Sequence, residues 1–141
     1  MAQIEWDSAW NIGHVEIDEQ HQRWVELFNQ LERAFLGSAD SQDLTQVQKD
    51  VFQRIRDYTR YHFACEEKVM QAAAWPGIPV HWRFHKEFDQ VVYERYREFE
   101  NGDLVLTSEL LALIRNWLLH HIQVEDLKFG EYLRQEKNTG K

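Results

Sequence analysis

The chain has 141 residues, of which 43% are hydrophobic and 28% charged, and this composition is typical of one globular domain spanning residues 1–141. Sixteen basic and 24 acidic residues give a formal net charge of −8, which disfavours nucleic acids and anionic membranes as partners. A single cysteine excludes an internal disulfide. No apolar run approaches the about 20 residues of a membrane span. The N-terminal sequence is acidic where a signal peptide is basic, so we expect a cytoplasmic protein.

Sparse glycine and proline divide the chain into long helical segments. Helices are predicted from Asp18 to Gly37, from the polar segment 38–43 to about Ala74, from Pro79 to about Glu100, and from Thr107 or Ser108 to about Ile122. A short helix near residues 127–133 follows. No segment alternates with a period of two, so we expect an all-α, antiparallel four-helix bundle. Residues 1–17 would form an N-terminal arm and residues 134–141 a frayed tail.

The apolar stripe of each predicted long helix contains histidine. In chain order the stripes carry His21, then His62 with Glu66, then His81 with His85, and finally His121. A lone histidine on such a stripe is usually a core residue with hydrogen-bonded ring nitrogens. Five histidines with an unpaired carboxylate fit that interpretation poorly. No lysine or arginine lies in phase to neutralise Glu66, and a charge buried alone is costly. The pattern therefore favours a metal site inside the bundle.

The spacing of these residues indicates how many ions are bound. His62 and Glu66 are four residues apart, as are His81 and His85, so each pair lies on one helix face. A structural zinc site is the competing interpretation, but it needs only four ligands and typically includes cysteine. Five histidines and a carboxylate exceed what one ion requires. We therefore predict two metal ions.

Four motifs in this order resemble those of the hemerythrins, in particular the bacterial ones. They are Gly13 with residues 17–21 (IDEQH), residues 62–70 (HFACEEKVM), the His81–His85 pair, and residues 117–126 (WLLHHIQVED). The resemblance covers about residues 6–130 and implies two iron ions joined by an oxo or hydroxo bridge. It implies that Glu66 and Asp126 also bridge the irons.

The same resemblance assigns the histidines to the two irons. It implies that one iron is held by His81, His85 and His121, and the other, which keeps an open position, by His21 and His62. Asp126 lies about 140° around an ideal helix from His121. Its assignment therefore predicts that the fourth helix bends or unwinds between these two residues.

The function implied by the resemblance is reversible dioxygen binding for storage, delivery or sensing, without catalytic turnover. Two alternatives remain: a di-iron enzyme or sensor acting on peroxide or nitric oxide, and a sensory module. The sequence does not identify a protein partner. His120 is expected to face away from the site and Cys65 to be inert packing.

The predicted ligand pocket is lined by Trp24, Phe63, Trp117, Leu118 and Ile122. Trp24 departs from the family, which usually carries an aliphatic residue three positions after the first histidine ligand. Its indole either fills part of the pocket or turns toward the arm.

Overall fold

The computed structural model describes residues 3–36, 42–101 and 108–138. Five α-helices form in these ranges: α1 (Val15–Leu36), α2 (Gln42–Ala72), α3 (Ile78–Glu100), α4 (Ser108–His120) and α5 (Asp126–Asn138). A π-helical turn (His121–Glu125) joins α4 to α5, and a short 3-10 turn (Ser8–Trp10) lies in the arm. These ranges contain no strand, which confirms the all-α prediction.

The positions of the histidines along the helices show that the bundle is antiparallel. His21 lies near the start of α1, His62 near the end of α2, His81 near the start of α3, and His121 directly after α4. The four side chains nevertheless meet at one place in the bundle. Successive long helices must therefore run in opposite directions, as predicted.

The first helix begins three residues before the predicted N-cap at Asp18. The Asp18 carboxylate instead accepts hydrogen bonds from the backbone N–H groups of Ile12 (2.7 Å) and Gly13 (3.2 Å). The ring Nδ1 of His14 accepts the N–H of Ile17 at 3.3 Å and takes the capping role. Asp18 as N-cap was therefore wrong, because its side chain holds the arm against the helix. Gly13 has a φ of 91°, which suits glycine at this turn.

The C-terminal helix is longer than predicted. It continues to Asn138, so most of the segment expected to be a frayed tail from residue 134 is helical. Tyr132 anchors α5 by donating its hydroxyl to the carbonyl of Ala73 at 2.9 Å. Once a helix is anchored by packing, adding a further turn is favourable. The predicted boundaries at Gly37 and Thr107, and residues 139–141, lie outside the described ranges.

The arm runs beside α1 and reaches the histidine end of the bundle. The side chain of Asn29 pairs with both backbone groups of Ile4, accepting its N–H at 3.0 Å and donating to its carbonyl at 2.9 Å. Further along the arm, the ring centroid of Trp6 lies 6.4 Å from that of His21. The arm therefore covers α1 close to the candidate site.

Two apolar clusters stabilise the described part of the chain. The larger one fills the bundle, and the smaller one lies beneath α5, where it is formed by Ile12, Ile17, Met70 and Phe129. All four residues of the smaller cluster are at most 1% exposed. This cluster packs α5, which begins at Asp126, against the arm, α1 and α2.

We expect the substitution Gly130→Ala to destabilise the fold although it lies in a helix. Alanine favours an isolated helix over glycine by about 1 kcal/mol. A Cβ at Gly130, however, would lie 2.9 Å from both the Cα and the carbonyl oxygen of Ile12. Backbone cannot yield as a flexible side chain can, so a net loss of about 1–3 kcal/mol is expected in urea unfolding. Glu131→Ala, at the exposed neighbouring position, is the control and should not lower stability.

Candidate metal centre

Seven buried side chains converge where the start of α1, the end of α2, the start of α3 and the π-helical turn meet. They form two groups, and within each group the ligand atoms lie within 4.8 Å of one another. The two groups share two carboxylates. The first group is Glu66, His81, His85, His121 and Asp126, and the second is His21, His62, Glu66 and Asp126. The structure thus brings together every residue that the sequence analysis proposed as a metal ligand.

The Glu66 carboxylate lies between the two groups of histidines. Its Oε1 is 2.8 Å from His81 Nε2 and 3.1 Å from His85 Nε2. Its Oε2 is 3.1 Å from His62 Nε2 and 3.2 Å from His21 Nε2. One oxygen therefore faces each group, which is the arrangement of a bridging carboxylate.

Asp126, the first residue of α5, also presents one carboxylate oxygen to each group of histidines. Its Oδ1 lies 2.8 Å from His81 Nε2 and 3.2 Å from His121 Nε2, and its Oδ2 lies 2.8 Å from His21 Nε2. Both carboxylates are completely buried. The two groups of histidines are consequently joined twice.

The π-helical turn is what brings Asp126 to the site. The backbone N–H of Asp126 donates to the carbonyl of His121, so this bond joins residues five apart rather than four. The wider turn returns the chain to the same face after five residues. The predicted break between His121 and Asp126 is confirmed, and its form is a π-helical turn rather than an unwound segment.

Several polar atoms in this cluster have no hydrogen-bond partner, and a bound cation could fill that place. His62 Nε2 and both oxygens of Asp126 are buried without a partner of hydrogen-bonding geometry, despite the short contacts around them. The Nε2 atoms of His85 and His121 face one another at 3.0 Å. Buried polar groups without partners are costly. Imidazole nitrogens and carboxylate oxygens are ligands for iron and other transition metals, so the residues present fit a pair of such ions.

The electrostatics of the site also favour cations. Burial disfavours the charged form of His21, but the neighbouring Asp126 and Glu66 outweigh it and raise the pKa of His21 to about 10. The same carboxylates raise the pKa of His81 to about 9 against the effect of burial. For Glu66, burial by itself would raise the pKa, yet the surrounding imidazoles hold that pKa well below its usual value. The carboxylates therefore stay ionised and attract positive charge.

Two side chains missed by the sequence analysis orient the histidines. The ring Nδ1 of His62 lies 2.8 Å from Oε1 of Gln20, and that of His85 lies 2.9 Å from Oε2 of Glu67. Both acceptors require a proton on Nδ1, which leaves Nε2 free to bind a metal. Gln20 and Glu67 occur inside the motifs quoted above, each next to a candidate ligand. That position was the available signal.

Aromatic rings enclose the site. Trp24 is fully buried in the bundle, with its ring centroid 5.2 Å from that of His62 and 5.6 Å from that of Phe63. Its Nε1 donates to the hydroxyl of Thr59 at 2.9 Å. The indole therefore does not turn toward the arm, and that alternative was wrong.

The other predicted pocket residues lie around the first histidine group or in the core. Phe63 stacks on His85 with centroids 3.8 Å apart, and the half-buried Trp117 stacks on His121 at 4.7 Å. Leu118 and Ile122 are fully buried in the larger apolar cluster. Their role in lining a ligand pocket remains a prediction.

The two residues expected to be bystanders lie outside both ligand groups. The His120 side chain is 64% exposed and its Nε2 lies 3.5 Å from Oε1 of Glu125, so it faces away from the site. Cys65 is a free, partly buried thiol.

The family model for the hemerythrin HHE cation binding domain matches residues 13–133, so the chain belongs to the hemerythrin family. As a hemerythrin, the protein binds dioxygen at a non-heme di-iron centre.

Curated relatives cover nearly the whole chain. A bacteriohemerythrin of Stenotrophomonas maltophilia is 32% identical over 98% of this chain and 86% of its own length. One from Pseudomonas aeruginosa PAO1 is 33% identical over 95% and 84%. A myohemerythrin of Riftia pachyptila is 26% identical over 88% of both chains.

A solved structure shows the same fold. The crystal structure of a wild-type hemerythrin superposes with a TM-score of 0.82 at 23% identity, covering 92% of this chain and 97% of its own. Among the described residues, no helix is long and apolar enough to cross a membrane.

Proposed function

We propose that His21, His62, Glu66, His81, His85, His121 and Asp126 hold the two irons, and that the iron beside His21 and His62 is the one that receives dioxygen. One observation carries this proposal. Each of the two buried carboxylates presents one oxygen to the histidine pair and the other to the histidine triad. That geometry supports two ions, each of which would be bound by one oxygen of Glu66 and one oxygen of Asp126.

The number of protein ligands differs between the two positions. The triad side offers three imidazoles and two carboxylate oxygens, whereas the pair side offers two imidazoles and two oxygens. With a shared oxo or hydroxo bridge, the triad side would supply six ligands and the pair side five. An octahedral ion held by His21, His62 and the two carboxylates would then keep one open position. When bound, the irons supply this position and the electrons that reversible dioxygen binding requires.

The chain's own residues favour binding over turnover. Trp24, Phe63 and Trp117 surround the histidines and exclude water. His62 and His85 are fixed by Gln20 and Glu67 as metal ligands, so neither ring is free to transfer protons. We therefore propose an oxygen carrier, store or sensor rather than an enzyme.

We propose that this carrier acts in the cytoplasm without a nucleic-acid or membrane partner. The net charge of −8 supports the absence of polyanionic partners, and the single free cysteine fits a reducing compartment.

Metal analysis and absorption spectroscopy test the assignment directly. Protein purified after growth in ample iron should contain two irons per chain. Its anaerobically reduced form should change spectrum when air is admitted and return when oxygen is removed. Asp126→Asn should lose iron, whereas Glu125→Gln, the adjacent carboxylate paired with Lys128, should keep it. One zinc per chain, or equal iron in both variants, would overturn the assignment.

Removing the metal should destabilise the fold. The apoprotein keeps Glu66, Asp126 and the facing rings of His85 and His121 buried without the cations that match them. Binding energy that is realised only in the folded state adds to folding stability. We expect a clearly lower melting temperature after chelation and recovery when ferrous iron is restored, both measured by circular dichroism. An unchanged melting temperature would contradict a structural contribution from the metal.

Catalytic turnover is tested in the same preparation. Steady-state assays with a reductant and either peroxide or nitric oxide should show no sustained consumption above that of free iron. Sustained turnover abolished by Asp126→Asn would instead assign an enzymatic function to this centre.

A further inference from the structure

The two histidine groups differ in the charge of the residue that holds their rings. On the pair side, His62 Nδ1 lies 2.8 Å from the neutral amide oxygen of Gln20. On the triad side, His85 Nδ1 lies 2.9 Å from a carboxylate oxygen of Glu67. Among the described residues, no other ion pair joins a carboxylate to an Nδ1 atom of the five candidate histidine ligands. The residues that contact the histidine ligands therefore place a negative charge on the triad side and none on the pair side.

The contact between His85 and Glu67 is well fixed. The His85 ring is 2% exposed and is stacked on Phe63 with an interplanar angle of 6°. This stacking holds the ring plane, so its Nδ1–H points toward Glu67. Glu67 is 27% exposed and lines a surface cavity of about 200 Å³ together with His85 and Asp89. Its carboxylate thus contacts both the buried ring and the solvent side.

A carboxylate acceptor changes what an imidazole donates to a metal. Pulling the Nδ1 proton toward a negative oxygen makes Nε2 a stronger donor, and outer partners of this kind tune the bound metal. The extra negative charge stabilises a ferric ion more than a ferrous one, because Coulomb attraction grows with the charge of the ion. A neutral amide such as Gln20 orients the ring but adds no such charge.

We propose that Glu67, acting through His85, makes the iron of the His81–His85–His121 group harder to reduce than the iron beside His21 and His62. Glu67 is a positioning residue that tunes this centre. The consequence is a difference in midpoint potential: with both irons bound, the one on the triad side would have the lower one-electron potential. This inference rests on the proposed function above.

Redox titration of Glu67→Gln tests the proposal. This variant gives His85 the same kind of neutral partner that His62 has, without removing the hydrogen bond. We expect ferric iron on the triad side to be bound about tenfold less tightly, the lower limit for loss of an outer partner. If ferrous binding is unaffected, that change raises the corresponding one-electron midpoint potential by about 59 mV. The separation between the two reduction steps should therefore narrow.

Asp89→Asn is the matched control. Asp89 lines the same cavity and is paired with Arg60 at 3.7 Å, but among the described residues no hydrogen bond or ion pair joins it to a candidate ligand. This variant removes one negative charge from the cavity and should leave both reduction steps where they are. Release of iron to a ferric chelator gives a second readout, which Glu67→Gln should accelerate and Asp89→Asn should not. Melting of the two apoproteins should be alike, because neither change removes core packing.

The outcomes separate the two proposals. Wild-type protein without a pair of irons would overturn the proposed function together with this inference. Two irons with normal oxygen binding, but equal midpoint potentials in the wild type and Glu67→Gln, would overturn the inference alone. An equal shift in both variants would attribute the effect to the general charge of the cavity and would also overturn it.

Discussion

His121→Ala should lose iron and the di-iron spectrum, whereas His120→Ala should keep both. His121 is 1% exposed and its Nε2 lies 3.2 Å from Asp126 Oδ1 in the triad group. The adjacent His120 side chain is 64% exposed and contacts Glu125 instead. Metal analysis and absorption spectra of the two purified variants measure the difference.

The size of this effect follows from the position of His121. Removing it leaves two imidazoles in its group and the buried carboxylate of Asp126 without one of its neighbours. We expect at most one iron per chain in this variant and a lower melting temperature. Loss of iron from His120→Ala, with two irons retained in His121→Ala, would show that the fourth motif is misaligned by one residue.

Trp24→Leu should open the site to small ligands. The indole is fully buried, and its ring lies 5.2 Å from that of His62 on the side where the open position is proposed. Replacing it with a smaller side chain should leave space along the path a ligand must take. We expect azide binding to the ferric protein and autoxidation of the oxygenated protein to accelerate at least about tenfold, as a barrier lowered by about 1.4 kcal/mol gives. Stopped-flow absorption measures both rates.

Two further variants keep this test interpretable. Trp24→Phe retains an aromatic ring and most of the bulk, so its rates should lie between those of the wild type and Trp24→Leu. Trp82→Leu makes a comparable change at a tryptophan that is 45% exposed, and should leave both rates unchanged. Unaltered rates in Trp24→Leu, with two irons still bound, would show that the indole does not guard the site. The variant also loses the hydrogen bond to Thr59, so its melting temperature should fall.

Much of the candidate site could be predicted from local sequence. His62 with Glu66 and His81 with His85 follow from the four-residue spacing, because helix geometry places such pairs on one face. Glu66 lies on an apolar helix face that carries no lysine or arginine, and this was sufficient to predict that metal cations bind there. Asp126 could not be found in this way, since an ideal helix turns it away from His121. Only resemblance to a family assigned it.

The hydrogen-bond partners of the histidine ligands could not be predicted from helix periodicity. Gln20 and Glu67 lie next to candidate ligands in the sequence, yet each holds a histidine of a different helix. Which acceptor meets which ring depends on the rotation and axial position of neighbouring helices. Packing of the entire bundle sets those quantities, and no local pattern carries them.

The sequence by itself determined the helical class, the order of the helices and the donor atoms available for metal, because these depend on periodicity, turn residues and side-chain chemistry. Tertiary structure alone decided the rest. It paired Asn29 of α1 with Ile4 of the arm and placed the Trp24 indole against His62. It also formed the π-helical turn that returns Asp126 to the cluster. Each of these features depends on contacts between segments distant in the chain or on a departure from ideal helix geometry, whose energy is recovered only when the bundle closes around the site.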